Sequence, residues 1–292
     1  MAGTTERDDQ VLPAMRVAAV VVVAVLVPAL VILWGLPKHT DDLWAWTIPA
    51  PLTPIFMGAG YGAGAYFFLR VYRTPRWHEV SVGVLSAAVF ALLMLVTTIV
   101  HFDLFNQGHA HGKVPDPPLL ATIAFYGWTI VYVLSPWVVG WLWWRNQRLD
   151  PRLPQEGEQL VPPNIRLVAR AVAIAALAAA IVILVSPQLA VKHWGWTLSD
   201  LTARVIACFT AQVGTGFVLL SLDARWSSWK ILVQTFLIAV ALLLAGAIRE
   251  WDTFSPGRSS MKWVYVAGLA AGAVALAALY HSMERPRADA PA

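Results

Sequence analysis

The sequence predicts an all-α integral membrane protein: eight transmembrane helices, built as two parallel four-helix repeats related by a pseudo-two-fold axis along the membrane normal. Three observations lead there. Of the 292 residues, 58% are hydrophobic and 13% charged, against about 25% charged in an average soluble domain. A soluble fold could not cover that apolar surface, and a disordered chain needs the opposite composition. Apolar runs recur along the chain at the length of about 20 residues that a helix needs to cross hydrocarbon. Short elements carrying tryptophan and aspartate occur twice, 149 or 150 positions apart.

Eight runs qualify: 14–36, 52–71, 80–100, 119–144, 167–189, 201–220, 230–248 and 262–280. Lipid offers the backbone no hydrogen-bond partner, so each run is a helix or part of a closed barrel. None alternates apolar and polar residues as barrel strands do. The apolar core of the first run, Val17 to Leu36, is too long for a signal-peptide core and is followed by no small-residue cleavage site, so it is expected to be retained. Pro28 is expected to kink it. The second run carries Gly58, Gly60, Gly62 and Gly64 in two overlapping GxxxG patterns, and the sixth carries Ala207, Ala211 and Gly214 in the places of Gly58, Gly62 and Ala65. Small residues permit close backbone approach, so these two runs are expected to be the inner helices where the halves meet. The organisation is then a tail 1–13, a first repeat 14–144, a linker 145–166 rich in Pro, a second repeat 167–281 and a tail 282–292.

Charge sets the orientation. With eight spans, 14 of the 21 Lys and Arg fall on the side of the termini, including Arg73, Arg148 and Arg225. The positive-inside rule therefore places both termini in the cytoplasm of a multi-pass protein of the cell membrane. The basic balance is explained by this orientation, and no nucleic-acid signature accompanies it. Of the 15 Trp, 13 fall near predicted span ends, as an aromatic belt would.

The duplication rests on three anchors. Trp44-Ala-Trp46-Thr47 recurs as Trp194-Gly-Trp196-Thr197, Arg76-Trp77 as Arg225-Trp226, and Phe102-Asp103-Leu104-Phe105 as Trp251-Asp252-Thr253-Phe254. Four helices per copy is an even number, so both copies cross the membrane in the same sense and the axis lies along the normal. Residues 34–142 are expected to superpose on 184–280.

Chemistry is sparse at membrane depth, where ionisable groups are otherwise functional pointers. Cys208, the one cysteine, sits in an apolar run and reads as a small buried hydrophobe. Gln212 and Gln234 read as interhelical hydrogen-bonding groups. Arg204 is the best-placed charge, able to snorkel, to pair with Asp200 at i−4 or to meet an anion. The outer loops are richer. His101, Asp103, His109 and His111 share one loop and are the residues from which a metal site could be built, or a haem ligand taken in the case of His101. Asp103 and Asp252 occupy equivalent places, with His101 aligned on Glu250. Trp44, Trp46, Trp194, Trp196 and Arg204 are the donors such acids would need if buried, so these residues form an outer-face cluster with either a ligand-binding or a structural role.

Three functions follow, in order of preference. The first is a transporter or channel with a site at the outer face between the repeats. The second is a structural or accessory protein that binds another membrane component through its Trp-rich outer loops. The third is an outer-face metal or haem redox protein. No hydrolase, zinc-protease, phosphate-loop or dinucleotide motif supports an enzyme. The partners expected are the lipid bilayer and another membrane protein, with no nucleic acid; no substrate or cofactor is identified.

Overall fold

The computed structural model describes residues 9–106, 117–154, 157–255, 257 and 259–285. Among these every regular element is helical. The helices are α1 (Pro13–Leu30), α2 (Thr40–Leu43), α3 (Leu52–Arg73), α4 (Ser81–Val100), α5 (Leu119–Gln147), α6 (Pro163–Val185), α7 (Pro187–His193), α8 (Asp200–Leu222), α9 (Trp226–Arg249) and α10 (Ser259–Glu284). Seven are long and apolar enough to cross a membrane: α1 with its continuation to Gly35, α4, α5, α6, α8, α9 and α10. They mark a polytopic membrane protein. The helix starts are locally encoded. Proline opens α1, α6 and α7, where its missing N–H costs nothing, and Ser199 and Thr202 close a reciprocal cap on α8.

α3 is the remaining long helix, 22 residues, and most of its side chains are buried by other helices. Its neighbours are protein and not lipid, so it carries glycines, tyrosines and threonine where a lipid-facing helix would carry Leu and Val. Its lower hydropathy is thus a consequence of its central place. By contrast, only 17% of the apolar stretch of α1 or α6 is buried. Pro28 leaves α1 helical, and a π-helical turn follows at Val31–Gly35, one way a chain absorbs the hydrogen bond that proline removes.

The packing is regular. α1 lies on α3 and α6 on α8; α4 packs with α5 and α9 with α10; α3 packs with α9 and α4 with α8. The joint between the two chain halves is therefore made by α3–α9 and α4–α8. The expectation that the second and sixth runs form this joint is corrected here, since α3 and α8 touch much less. The small residues face elsewhere. A Cβ on Gly58 would strike Trp34, one on Gly64 would press on Leu26, and one on Gly214 would strike Leu177. Each is a contact with the first long helix of the same half. Gly60 faces across onto the Phe209 ring, Gly62 meets both Leu242 of α9 and Leu30 of α1, and Gly246 of α9 admits Ile55 of α3.

Each half is tied at its Arg225 end by the same bonds. Val11 N–H donates to Pro75 O (3.0 Å) and Trp77 N–H to Asp9 O (3.0 Å); Val161 N–H donates to Ala224 O (2.8 Å) and Trp226 N–H to Gln159 O (2.9 Å). Asp9 accepts the His78 N–H (3.1 Å) and Glu158 the Ser227 N–H (3.1 Å). The His78 ring then bonds Asp9 through Nδ1 and Ser227 Oγ through Nε2 (2.9 Å). The order carboxylate–imidazole–hydroxyl is that of a serine-nucleophile relay. Here Asp9 holds the turn just before α4, Glu158 accepts an N–H in the first turn of α9, and the imidazole joins those two segments.

Trp77, Trp196, Trp226 and Trp229 are buried in the core, as are Trp44 and Trp46. The belt reading of the tryptophans is thereby corrected for these six. Trp137, Trp141, Trp144 and Trp263 are the exposed ones. Position along a helix sets a ring's depth in the membrane, but only packing decides whether it faces lipid or protein.

Candidate functional site

The 44–46 tryptophan loop is folded inward by its own polar groups. Thr40 Oγ1 accepts the Ile48 N–H (2.9 Å), closing the loop on itself. Asn106 donates its backbone N–H to Ala45 O (2.8 Å) and its amide to Trp44 O (3.0 Å), pinning the loop to the end of the 102–104 turn. Trp44 and Trp46 consequently point into the protein. Trp46 meets Phe105 (5.1 Å between centroids) and the edge of Trp128 (4.9 Å), and Trp128 meets Tyr132 (4.5 Å). Trp128 is oriented by its indole N–H, which donates to Thr98 Oγ1 (2.9 Å) on α4. Tilted and edge-on ring pairs of this kind add about 0.5–1.5 kcal/mol each beyond their buried area.

This cluster forms the floor of a crevice of about 340 Å³ between α1 and α5, at the lower end of the roughly 300–1,000 Å³ of small-molecule sites. The walls are apolar: Val25, Pro28 and Ile32 on α1, Leu120, Ile123 and Gly127 on α5. Val25, Leu120 and Ile123 continue as exposed surface, so the crevice opens sideways onto the apolar flank of the helices. Trp44, Tyr61, Trp128 and Tyr132 line its depth. The Tyr61 and Tyr132 hydroxyls bond each other (2.9 Å). Two hydroxyls hold two hydrogens and their mutual bond uses one, so one O–H is left without an acceptor among the described residues. The arrangement suits an apolar body with one oxygen acceptor. Its lining holds no carboxylate, imidazole, thiol or cation.

The sequence-predicted residues separate into several groups. Trp44 lines the crevice and Trp46 backs it. In the second half, Trp196 is buried against Phe254 and Tyr265, with Trp194 edge-on to it, and donates Nε1–H to Thr53 Oγ1 of the first half (2.8 Å). Asp103 and Asp252 lie in matching 3₁₀ turns, Phe102–Leu104 and Trp251–Thr253, with exposed side chains. In both turns the buried member is the following phenylalanine, Phe105 or Phe254. Of the donors expected for these acids, Trp196 and Arg204 are engaged elsewhere, and the Trp44 and Trp46 indole N–H groups are buried without an acceptor among the described residues. Arg204 gives Nη1 to His101 Nε2 (2.7 Å) and Nε to Leu184 O (3.0 Å). Asp200 accepts from Gln188 (2.8 Å) instead of pairing with Arg204. Glu250 meets Lys38 (3.4 Å) and Arg249 (3.7 Å). For a metal, no group of three His, Cys, Asp or Glu is placed to share an ion among the described residues; His109 and His111 lie outside them. Cys208 is fully buried, 3.5 Å from Thr97.

Sequence reading assigns Tyr61, Thr98, Trp128 and Tyr132 no part in a site, although Thr98 and Trp128 stand out as polar and deep positions in their runs. They lie in apolar runs of three helices, Tyr61 on α3, Thr98 on α4 and Trp128 with Tyr132 on α5, with no local motif. The spacing Trp128–Tyr132, one turn on a single face, is a further available signal.

His101, just past the end of α4, is held below its ordinary pKa, first by burial and then by the facing Arg204 guanidinium, against the weaker pull of Asp200 and Asp103. The neutral imidazole is the acceptor that Arg204 requires. A lowered folded-state pKa means that the unfolded chain binds the proton more readily. This contribution to stability is therefore complete above the unfolded value of about 6.5 and is lost as pH falls below it. Melting curves between about pH 7.5 and 5.5 are expected to show a steeper decline for the native protein than for His101→Gln; coincident profiles would refute this.

Comparison with known proteins returns no match: no family model fits the chain, and no curated protein or solved structure is similar to it.

Proposed function

We propose that the chain is an eight-span membrane protein made of two parallel four-helix repeats, and that it takes up an apolar molecule from the bilayer in the crevice between α1 and α5. The crevice carries this reading. It has apolar walls, an exposed apolar mouth, an aromatic floor and a spare hydroxyl hydrogen at its depth. Its occupant is a lipid-phase molecule because the walls that flank the mouth are themselves lipid-facing in character.

Several observations support the eight spans and the duplication. α3 has spanning length and lies among the apolar helices. The bonds at the Arg225 end recur at an offset of 149 or 150, and His78 bonds Ser227, its own counterpart at 149. A two-fold axis passing between them would bring two such equivalent residues together. Asn106 N–H to Ala45 O is matched by Ser255 N–H to Gly195 O (2.9 Å). Orientation with both termini in the cytoplasm rests on the basic residues at the Arg225 end.

Of the functions the sequence allows, binding of another membrane component through a tryptophan loop is the one the geometry favours, since Trp44 is itself a wall of the crevice. A transport path between the repeats has less support. Phe209 fills the space over Gly60, and Arg204 bonds His101 across the joint.

Gly127 provides the test, because a Cβ there meets nothing within 4 Å. Gly127→Phe should fill the crevice without disturbing the fold. Labelling in micelles with a fatty acid bearing a diazirine, followed by peptide mapping, is expected to mark α1 and α5 near Trp128. In Gly127→Phe that labelling should drop severalfold, with the melting temperature unchanged. Equal labelling along α5, α6 and α10 in both proteins would overturn the proposal.

A further inference from the structure

Near the Arg225 end, α3, α9 and α10 share a polar network that sequence reading reduced to Gln234 alone. Tyr66 O–H donates to Gln234 Oε1 (2.7 Å). Arg70 Nη1 donates to the same oxygen (2.8 Å) and to the Tyr66 hydroxyl (3.0 Å). Gln234 Nε2 donates to the Tyr280 hydroxyl (2.9 Å). The positions related by 149 are Thr215, Leu219, Leu85 and Val131, which could not build this network. It therefore breaks the two-fold pattern, which shared architecture does not require.

Its charge does not balance. Arg70 is half-buried, and its acceptors are all neutral oxygens; among the described residues no carboxylate lies within ion-pair distance of it. Arg73 follows at i+3 on the same helix face, exposed and likewise without a carboxylate among the described residues. The neighbouring Lys230 is different, since Glu284 neutralises it (2.6 Å). Donors are also left over. Arg70 Nε and Nη2 and the Tyr280 O–H hydrogen have no acceptor among the described residues. One amide, Gln234, bridges Arg70 and Tyr280, so the spare donors sit close together. A guanidinium partly withdrawn from water without a counterion is costly, and an anion would meet both deficits at once.

We propose that Arg70, Arg73 and Tyr280 bind a phosphodiester anion, the headgroup of an anionic phospholipid. The phosphate fork matches a guanidinium. Arg70 and Arg73 stand in the last turn of a 22-residue helix, the depth at which headgroups lie. Tyr66 and Gln234 hold Arg70 in place beforehand, which lowers the ordering cost of binding. The site stands apart from the crevice and needs only that the chain crosses a bilayer.

The test is thermal unfolding of the full chain in nanodiscs of phosphatidylcholine with rising phosphatidylglycerol, and separately in phosphatidylcholine with millimolar inorganic phosphate. Phosphatidylglycerol is expected to raise the melting temperature saturably, and phosphate is not. Arg70→Gln should shift half-saturation to about fivefold more anionic lipid or beyond. Gln234→Glu is the sharper variant. It places a carboxylate beside Arg70 in the same shape, so it should raise the melting temperature without anionic lipid and abolish the response to it. An unchanged phosphatidylglycerol response in Gln234→Glu, or none in the native chain, would overturn the proposal. An equal response to free phosphate would overturn the lipid assignment.

Discussion

Arg225→Ala is expected to cost about 3–5 kcal/mol of stability, because it strands two carboxylates in a largely buried place. The guanidinium sits between them. Nη1 and Nη2 donate to the two oxygens of Asp150 (2.9 and 3.1 Å), and Nε and Nη2 to those of Asp223 (3.0 and 2.8 Å). Arg225 and Asp150 are 5% and 4% exposed, so water does not take over when one partner goes. The loss extends beyond the pair. Asp150 belongs to the segment joining α5 to α6, and this ion cluster fastens that segment to the start of α9. Replacing all three together, Arg225→Met with Asp150→Asn and Asp223→Asn, should recover much of the loss, since neutral groups carry no charge-burial cost. Unfolding in detergent monitored by circular dichroism separates the two, and a triple variant as unstable as Arg225→Ala would refute the charge argument.

The same cluster sets the acid limit. Burial would raise the carboxyls of Asp150 and Asp223, but hydrogen bonds from Arg225, from the Arg152 N–H to Asp150 and from the Arg225 N–H to Asp223 outweigh it and hold both below the ordinary value. A depressed folded-state pKa contributes stability above the unfolded value, about 3.9, and loses it as pH falls through the folded one. Native protein should therefore weaken below about pH 4, and the triple variant should lack this component.

Trp196→Ala should cost about 3–5 kcal/mol, the usual range for emptying a buried tryptophan site. The more telling comparison is between Trp196→Phe and Trp46→Phe, at equivalent places in the duplicated loop. Trp196 gives its indole hydrogen to Thr53, whose side chain is itself buried. Trp46 Nε1 is buried without a hydrogen-bond acceptor among the described residues. Thr202, the counterpart of Thr53, is occupied in the cap of α8 with Ser199. Both substitutions shed a similar volume, so packing losses nearly cancel in the difference. Trp196→Phe should be worse by about 1–3 kcal/mol, the cost of leaving a buried polar partner unpaired. Equal losses in thermal unfolding would show that the cross-half bond contributes nothing.

Composition and run length by themselves determined the membrane class, the helical secondary structure and the approximate extent of the long helices, because hydrocarbon forces each crossing segment to satisfy its own backbone. The weak hydropathy of α3 is the instructive exception: it belongs to a helix surrounded by protein, and burial by neighbours cannot be read from one segment. The repeated motifs located the tryptophan loops at matching places, yet Asp103 and Asp252, which looked like their chemical content, face outward while Phe105 and Phe254 turn in. Alternation within a short turn is set by how that turn docks. The crevice, the Arg225 cluster and the Arg70 network were decided only by tertiary structure. Each is assembled from residues of two or more segments far apart in the chain, and hydrogen bonds between segments leave no period or spacing in the sequence.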